Sequence, residues 1–340
     1  MANRFWVGGS GTWNTTSTTN WSATTGGAGG ASVPNTADVA VYDANSGTGT
    51  VTLGATVSVF RVTWSGYTGS FNPSTFEVNC VGDGVNALWN GGTTATFLAI
   101  PTVNFTYSGA NSRTVSIGSA TGFPRNINAN ITAGSGTFTL SGATNINNFN
   151  CTGFSGSLAA TTGTLSLTGN VTLSSSMTIA ANTATIAFTG SASRTITTNG
   201  VVIDRPINLP AVASGGGGVV NFADTLTQNS TRTFNISGGT VKFKNGVTST
   251  VGAFGTSGTE QKFLSSTVAG SQATLLQSGG VVNASYLTIQ DINATGGATW
   301  NAFTNRRNID GGNNDGWNFL SIPYPVFGSI FRLIFKPVIQ

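Results

Sequence analysis

The chain has 340 residues, of which 39% are hydrophobic and only 7% are charged, against about 25% in an average soluble domain. The 14 basic and 10 acidic residues give a net charge of +4, and the absence of basic clusters argues against nucleic-acid binding. Histidine is absent, which excludes Ser-His-Asp and Cys-His nucleophilic sites and removes the commonest metal ligand.

Residues 1–30 form an aromatic and glycine-rich segment that contains Trp6, Trp13 and Trp21. A stack of β-strands must cover its terminal edges, because open edges pair with other chains and aggregate. We therefore predict that the three tryptophans belong to an N-terminal cap rather than to a ligand-binding platform. The segment lacks the apolar run of a secretory signal peptide, so export by that route is not expected.

Residues 31–319 show the alternation of polar and apolar residues that is typical of β-strands. Within "GTLSLTGNVTLSSSMTIA" one face of successive extended segments carries Leu165, Leu167, Val171, Leu173, Met177 and Ile179. Glycine, asparagine and serine interrupt each run after a few residues, so short strands with frequent turns are predicted and no amphipathic helix is expected.

Degenerate repeats run through this body. A Ser/Thr-Arg-Thr motif occurs at Arg113, Arg194 and Arg232, while Cys80 and Cys151 share the pattern Asn-Cys-x-Gly. The offsets between repeats are unequal, which favours stacked coils of roughly 20 to 25 residues over a duplicated domain. The predicted fold is an all-β, right-handed parallel β-helix, and a β-sandwich pair or a propeller is the competing architecture. The two cysteines are predicted to be buried and not to form a disulfide.

The body is predicted to close with a coil that carries Trp300 and Trp317 as the second aromatic end cap. Residues 320–340 then form an extended apolar tail with a different composition. Three prolines and the charges of Arg332 and Lys336 argue against a membrane span. The tail should leave an apolar surface that a solitary soluble rod would not expose, so we predict that it docks on a partner protein. The predicted docking residues are Phe327, Ile330, Phe331, Leu333, Ile334 and Phe335. A fold-back cap over the last coil is the alternative.

Few residues in the chain suggest a catalytic or metal-binding site. Asp204 beside Arg205 is the best local acid–base pair, and we interpret it as an ion pair in a turn before Pro206. The run Asp310-Gly-Gly-Asn-Asn-Asp-Gly resembles a calcium loop but lacks the EF-hand spacing, so an Asx-rich turn is predicted. Lys242 and Lys244 are interpreted as a solvated strand face.

Threonine pairs with Thr-x-Thr spacing raise the hypothesis of an ice-binding ladder. They occur at Thr50/Thr52, Thr137/Thr139, Thr183/Thr185 and Thr195/Thr197. Their spacing does not match one coil length, and threonine is a common strand former on a charge-poor surface, so ice binding is not favoured. No catalytic residue, metal ligand or cofactor is predicted.

The opening segment "RFWVGGSGTWNTTSTTNWSATTGGAGGASVPNTADVAVYDANSGTGTVTL" and the closing "ASYLTIQDINATGGATWNAF" with "DGGNNDGWNF" resemble the framing segments of Gly/Thr-rich β-helical structural proteins of tailed bacteriophages, which are similar in style to bacterial surface β-helix proteins. The likeness covers residues 4–71 and 281–319. It implies a structural role in a virion and transfers no catalytic residue.

These observations together predict a non-enzymatic structural protein of a bacteriophage particle, either a capsid decoration protein or a tail appendage such as a tail fibre. Other virion proteins are the expected partners. Two alternatives remain open: a glycan-binding or glycan-cleaving tailspike, which would form a homotrimer and contact a host surface glycan, and a bacterial surface adhesin, which would carry an export signal.

Overall fold

A computed structural model describes residues 1–90, 94–116, 127–141, 144–160, 163–209 and 218–320, and nearly all of the regular structure in these ranges is β. The exceptions are two single turns of 3-10 helix, Ala44–Ser46 and Thr304–Arg306. Within the described ranges there is no helix of the length and apolarity needed to cross a membrane. The docking residues predicted between Phe327 and Phe335 lie outside the described residues.

The first half of the chain contains strands of two to seven residues. They are β1 (Ala2–Trp6), β2 (Gly11–Trp13), β3 (Trp21–Ser22), β4 (Asp38–Asp43), β5 (Thr50–Leu53), β6 (Val57–Val59), β7 (Arg61–Ser65), β8 (Ser70–Asn72), β9 (Glu77–Cys80), β10 (Gly84–Asn90), β11 (Thr96–Phe97), β12 (Thr102–Phe105), β13 (Arg113–Ser116), β14 (Ile127–Ile131), β15 (Thr137–Ser141), β16 (Thr144–Asn150), β17 (Ser157–Ala160), β18 (Leu165–Leu167) and β19 (Val171–Thr172).

The second half continues with strands of two to five residues. They are β20 (Thr178–Ile179), β21 (Ile186–Phe188), β22 (Arg194–Thr197), β23 (Val202–Ile203), β24 (Ile207–Leu209), β25 (Val219–Phe222), β26 (Thr227–Gln228), β27 (Thr233–Ile236), β28 (Thr240–Phe243), β29 (Thr248–Thr250), β30 (Ala253–Thr256), β31 (Lys262–Ser266), β32 (Ala273–Gln277), β33 (Val281–Asn283), β34 (Leu287–Gln290), β35 (Ile292–Gly296), β36 (Thr299–Asn301), β37 (Ile309–Asp310) and β38 (Trp317–Asn318).

The strands stack in parallel, turn upon turn, so the predicted all-β parallel solenoid is confirmed. Over most of the chain one turn supplies one strand to each of three faces. The first face contains β1, β4, β7, β10, β13, β15, β17 and β20, followed by β23, β26, β29, β32 and β35. The third face contains β6, β9, β12, β14, β16, β19, β22, β25, β28, β31, β34 and β37.

The second face begins as β2, β5, β8 and β11 and resumes as β18, β21, β24, β27 and β30, with β33, β36 and β38 at its end. The long strand β16 links the second and third faces, because Asn145 pairs with Ser166 of β18 while Asn150 pairs with Thr172 of β19. One strand of the turn below thus pairs with two strands of the turn above.

Side chains alternate between the interior and the surface in nearly every strand, as the sequence pattern predicts. The six apolar residues from Leu165 to Ile179 named above are all buried, which confirms that they point inward, although β18, β19 and β20 belong to three different faces of the solenoid. Cys80 and Cys151 are both fully buried and form no disulfide, as predicted. Burial raises the pKa of the Cys80 thiol to about 12 and also raises that of Cys151.

Asparagine and threonine fill many outward positions of the third face, where equivalent residues lie directly above one another. Asn104 donates through Nδ2 to Asn79 Oδ1, and Asn130 donates through Nδ2 to Asn104 Oδ1, both over 2.8 Å. Each amide serves as donor to one turn and acceptor to the next. Cross-strand pairs of this kind help to hold a sheet in register.

Aromatic clusters fill both ends of the described solenoid. At the start, Trp6, Trp13 and Trp21 are fully buried, with ring centroids 5.2 Å apart for Trp6–Trp21 and 5.5 Å apart for Trp13–Trp21. The short strand β3 pairs antiparallel with β1 and covers its outer edge. At the other end, the rings of Trp300 and Trp317 lie 4.9 Å apart.

Candidate functional site

The Ser/Thr-Arg-Thr repeat places two of its three arginines inside the solenoid. Arg113 begins β13 and Arg194 begins β22, and both side chains are buried. Arg113 donates to the carbonyl oxygens of Tyr107 and Ala133, over 3.1 and 3.0 Å. Its guanidinium also lies 5.4 Å from the ring centroid of Phe138. Burial lowers the pKa of both arginines, because it removes water from the charged guanidinium, and neither has a carboxylate partner among the described residues.

Arg194 contacts more backbone carbonyls than Arg113 does. Its two Nη atoms donate to four carbonyl oxygens, that of Leu167 at the end of β18 and those of Thr189, Gly190 and Ala192 in the turn before β22. Backbone carbonyls that turn inward at a corner would otherwise lack donors, which is costly in an apolar interior. The buried arginines therefore satisfy backbone carbonyls at corners of the solenoid.

The third copy of the motif behaves differently, and this corrects our interpretation of Asp204. Arg232 precedes β27, lies near the surface, and donates through Nε to Asp204 Oδ1 over 2.7 Å. Asp204 therefore pairs with an arginine of the next turn rather than with its neighbour Arg205. The side chain of Arg205 is buried instead, and its Nη2 donates to the carbonyl oxygen of Ala180.

Lys262 is a fourth buried cation that no sequence motif indicated. Its Nζ donates to the carbonyl oxygens of Glu260 and Gly258, over 2.8 and 3.2 Å, and lies 5.4 Å from the ring centroid of Tyr286. Burial lowers the pKa of Lys262, and the nearby charge of Glu260 partly opposes the shift. Because its contacts are backbone carbonyls and a ring, this lysine resembles the buried arginines in role.

The Asp310–Asp315 run forms a hydrogen-bonded turn, in agreement with the Asx-turn interpretation. Asp310 Oδ1 accepts from the backbone N–H of Gly312 and from Asn314 Nδ2, while Asp315 Oδ2 accepts from Gln272 Nε2. Both carboxylates therefore take part in the local hydrogen bonding of the turn. In the described ranges no group of three or more Cys, Asp or Glu residues is placed to hold a metal ion.

The threonine pairs lie on different faces of the solenoid. Thr50 and Thr52 belong to β5 on the second face, Thr137 and Thr139 to β15 on the first, and Thr195 and Thr197 to β22 on the third. They cannot form one flat ladder, as their uneven spacing predicted.

A polar groove of about 360 Å³ lies on the third face, where β22, β25 and β28 stack. Its walls are formed by Ser193, Arg194, Thr195, Val219, Asn221, Lys242 and Thr267. Thr195, Asn221 and Lys242 occupy one outward column, because Thr195 pairs with Asn221 and Asn221 with Lys242. Sequence reasoning missed this groove, since it treated Lys242 only as part of a solvated strand face.

A second cavity lies inside the solenoid and has a volume of about 30 Å³. Apolar side chains, among them Phe149, Leu167 and Phe222, form nearly all of its wall. A space of this size holds about one water molecule, and an apolar wall offers that water few partners. The interior cavity is therefore a packing void, and the surface groove is the candidate binding site.

Comparison with known proteins identifies no relatives for this chain: no protein-family model, no curated protein and no solved structure matches it.

Proposed function

We propose that the protein is a non-enzymatic structural component of a bacteriophage particle, either a capsid decoration protein or a tail appendage. The proposal rests on the rod-like solenoid fold and on the resemblance of the two framing segments. The location in a phage particle is inferred by analogy of fold. The absence of catalysis is inferred from the surroundings of the acidic residues.

The observation that carries the non-enzymatic part of the proposal is the engagement of the carboxylates. Nine of the ten acidic residues accept hydrogen bonds from the chain: Asp38, Asp43, Glu77, Asp83, Asp204, Asp224, Asp291, Asp310 and Asp315. Glu260 accepts none from the described residues. Glycoside hydrolysis needs two carboxylates about 5 to 9.5 Å apart in a cleft, and no Asp or Glu is among the residues that line the groove of the third face.

Attachment to the particle is proposed to use the apolar tail, residues 320–340, with a neighbouring virion protein as the partner. Burying three or four of its large apolar side chains would contribute on the order of 5 to 10 kcal/mol before ordering costs. No nucleic acid, cofactor or metal is required by this role.

The experiment compares the full chain with a variant that lacks residues 321–340. Docking predicts that the truncated protein stays soluble and β-rich by circular dichroism but no longer joins the particle. A control truncation of residues 337–340 keeps the six docking residues and should still be incorporated. If the longer truncation instead unfolds or aggregates, the tail is a cap and the docking proposal is wrong.

The tailspike alternative makes different predictions for the same purified protein. A spike should form a homotrimer and should bind or cleave a host surface glycan. Light scattering reports the mass in solution, and an assay for release of reducing sugar from host capsule reports cleavage. A trimer with cleaving activity would replace the decoration proposal.

A further inference from the structure

The groove on the third face has the shape and polarity of a site for a polar ligand. It crosses three stacked strands, so it extends about 10 Å along the solenoid axis at about 4.8 Å for each step between strands. Six of its seven lining residues carry polar side chains, and Ser193, Thr195, Asn221 and Thr267 supply hydroxyl and amide groups. Its volume falls within the range of about 300 to 1,000 Å³ that is typical of ligand sites.

One cation lies in this groove without a partner. Lys242 is half-buried, and its ammonium group makes no hydrogen bond or ion pair with the described residues. No Asp or Glu side chain contributes to the groove wall, and the buried guanidinium of Arg194 lies beneath it. The local charge is therefore positive, which favours an anionic ligand.

An exposed aromatic ring flanks the cation. Phe263 lies on β31, the next strand of the third face, and 47% of its surface is exposed although most aromatic residues of the protein are buried. Because Lys242 pairs with Ser265, Phe263 lies one strand away and two residues along from Lys242. The Cα atom of Phe263 therefore lies about 4.8 Å across and about 6.6 Å along the sheet from the Cα atom of Lys242.

These features decide between ligand classes. Nucleic acid would require several cations to neutralise successive phosphates, and the groove contributes one free lysine. A protein interface would require about 800 Å² on each side with an apolar centre, whereas this groove has a single apolar side chain, Val219, among its seven lining residues. A chain of hydroxyl-rich rings with occasional carboxylates needs one cation, several hydrogen-bonding groups and a flat apolar surface.

We propose that this groove binds an acidic polysaccharide. Lys242 pairs with a sugar carboxylate, Thr195 and Asn221 hydrogen-bond to sugar hydroxyl groups, and the Phe263 ring packs against the C–H face of a neighbouring sugar. The binding is independent of attachment through the tail, since the groove and the end of the described chain involve different residues.

The test measures binding of the full-length protein to polygalacturonate by isothermal titration calorimetry. An uncharged dextran of similar length serves as the comparison. Lys242→Gln should weaken polygalacturonate binding about tenfold, which is the loss of about 1.4 kcal/mol from one charged contact. Phe263→Ala should also weaken it. Lys244→Gln is the matched control, because Lys244 lies on the same segment, is exposed, and does not belong to the groove wall.

Three results would overturn the proposal: no measurable binding of polygalacturonate, equal binding of dextran, or an equal loss for Lys244→Gln and Lys242→Gln. The outcome is separable from that of the proposed function. A Lys242→Gln protein that still joins the particle but no longer binds polygalacturonate supports both proposals. An unsubstituted protein that binds polygalacturonate but is absent from every particle would support the groove proposal alone.

Discussion

Inside the solenoid, Arg194 Nη1 donates to the carbonyl oxygen of Leu167, one turn earlier in the stack, over 2.9 Å. The cation has no carboxylate partner and is held by backbone dipoles alone, together with the carbonyls of Thr189, Gly190 and Ala192. The inward-facing carbonyls of this corner need the guanidinium as their hydrogen-bond donor. Removing the cation therefore leaves several buried acceptors without donors.

Arg194→Met should therefore destabilise the protein by about 3 kcal/mol or more, since each buried polar group left unsatisfied costs about 1 to 3 kcal/mol. Arg232→Met is the matched control, because it has the same motif but pairs near the surface with Asp204, a contact of about 1 kcal/mol or less. Urea unfolding followed by circular dichroism measures both. Equal losses of stability for the two variants would show that burial of the cation does not matter.

The last turn of the described solenoid allows a second comparison between two glycines with positive φ. Gly316 has φ +75° and a Cβ there would lie 1.9 Å from the carbonyl oxygen of Ala294, whereas Gly312 has φ +93° and open space around it. Both alanine variants carry the backbone strain of about 1 to 2 kcal/mol, but only Gly316→Ala adds a collision with backbone. Gly316→Ala should lower the thermal midpoint distinctly more than Gly312→Ala, and the reverse order would contradict the packing of this turn.

Alkaline pH should weaken the fold because buried acids keep their protons longer than they do in the unfolded chain. The pKa of Cys80 rises from 9.0 to about 12 and that of Tyr67 from 10.0 to about 12, both through burial. Between these values the unfolded chain has released the proton and the folded chain has not, so the free energy of unfolding falls as pH rises. Below pH 9 the cysteine contribution should be constant.

The measurement is urea unfolding at several pH values between about 8 and 11. Lys262 opposes the trend, because burial lowers its pKa and its deprotonation stabilises the folded chain as pH rises toward 10.5. In Cys80→Ala the slope of stability against pH should become less negative by up to about 1.4 kcal/mol per pH unit. An unchanged slope would show that Cys80 ionises as readily in the folded protein as in the unfolded chain.

Asp204 provides a test of the non-enzymatic proposal at the best acid–base candidate in the sequence. Asp204→Asn removes one charge of a half-exposed ion pair with Arg232 and should change the free energy of unfolding by less than about 1 kcal/mol. It should leave the protein's effect on host capsule or lipopolysaccharide unchanged, with no depolymerisation before or after the substitution. Cleavage that disappears in Asp204→Asn would make the protein a spike enzyme.

The strands and their inward faces could be predicted from the sequence because they depend only on local alternation. Leu165 and Leu167 point inward for the same reason that their sequence pattern has a period of two. The positions of Cys80 and Cys151 followed from the same pattern. The predicted coil length of roughly 20 to 25 residues also holds through much of the body, where Ser157 pairs with Thr178 and Val202 with Thr227.

The groove could not be predicted, because it depends on which residues of successive turns lie above one another. Thr195, Asn221 and Lys242 form one column although they are separated by 26 residues (221 − 195) and 21 residues (242 − 221). Turns of different length hide such a column from any fixed repeat. The partner of Asp204 was misjudged for a related reason: Arg232 comes from the next turn and precedes β27, so local sequence does not reveal that the two side chains meet.

The most direct test of a structural role in a phage particle is quantitative mass spectrometry of purified particles, with copy number expressed relative to the major capsid protein. The account predicts that this chain is present in every preparation at a reproducible ratio, with hundreds of copies for a capsid decoration and a few to a few dozen for a tail appendage. Its absence from purified particles, with the protein recovered only from the free fraction of the lysate, would contradict the account.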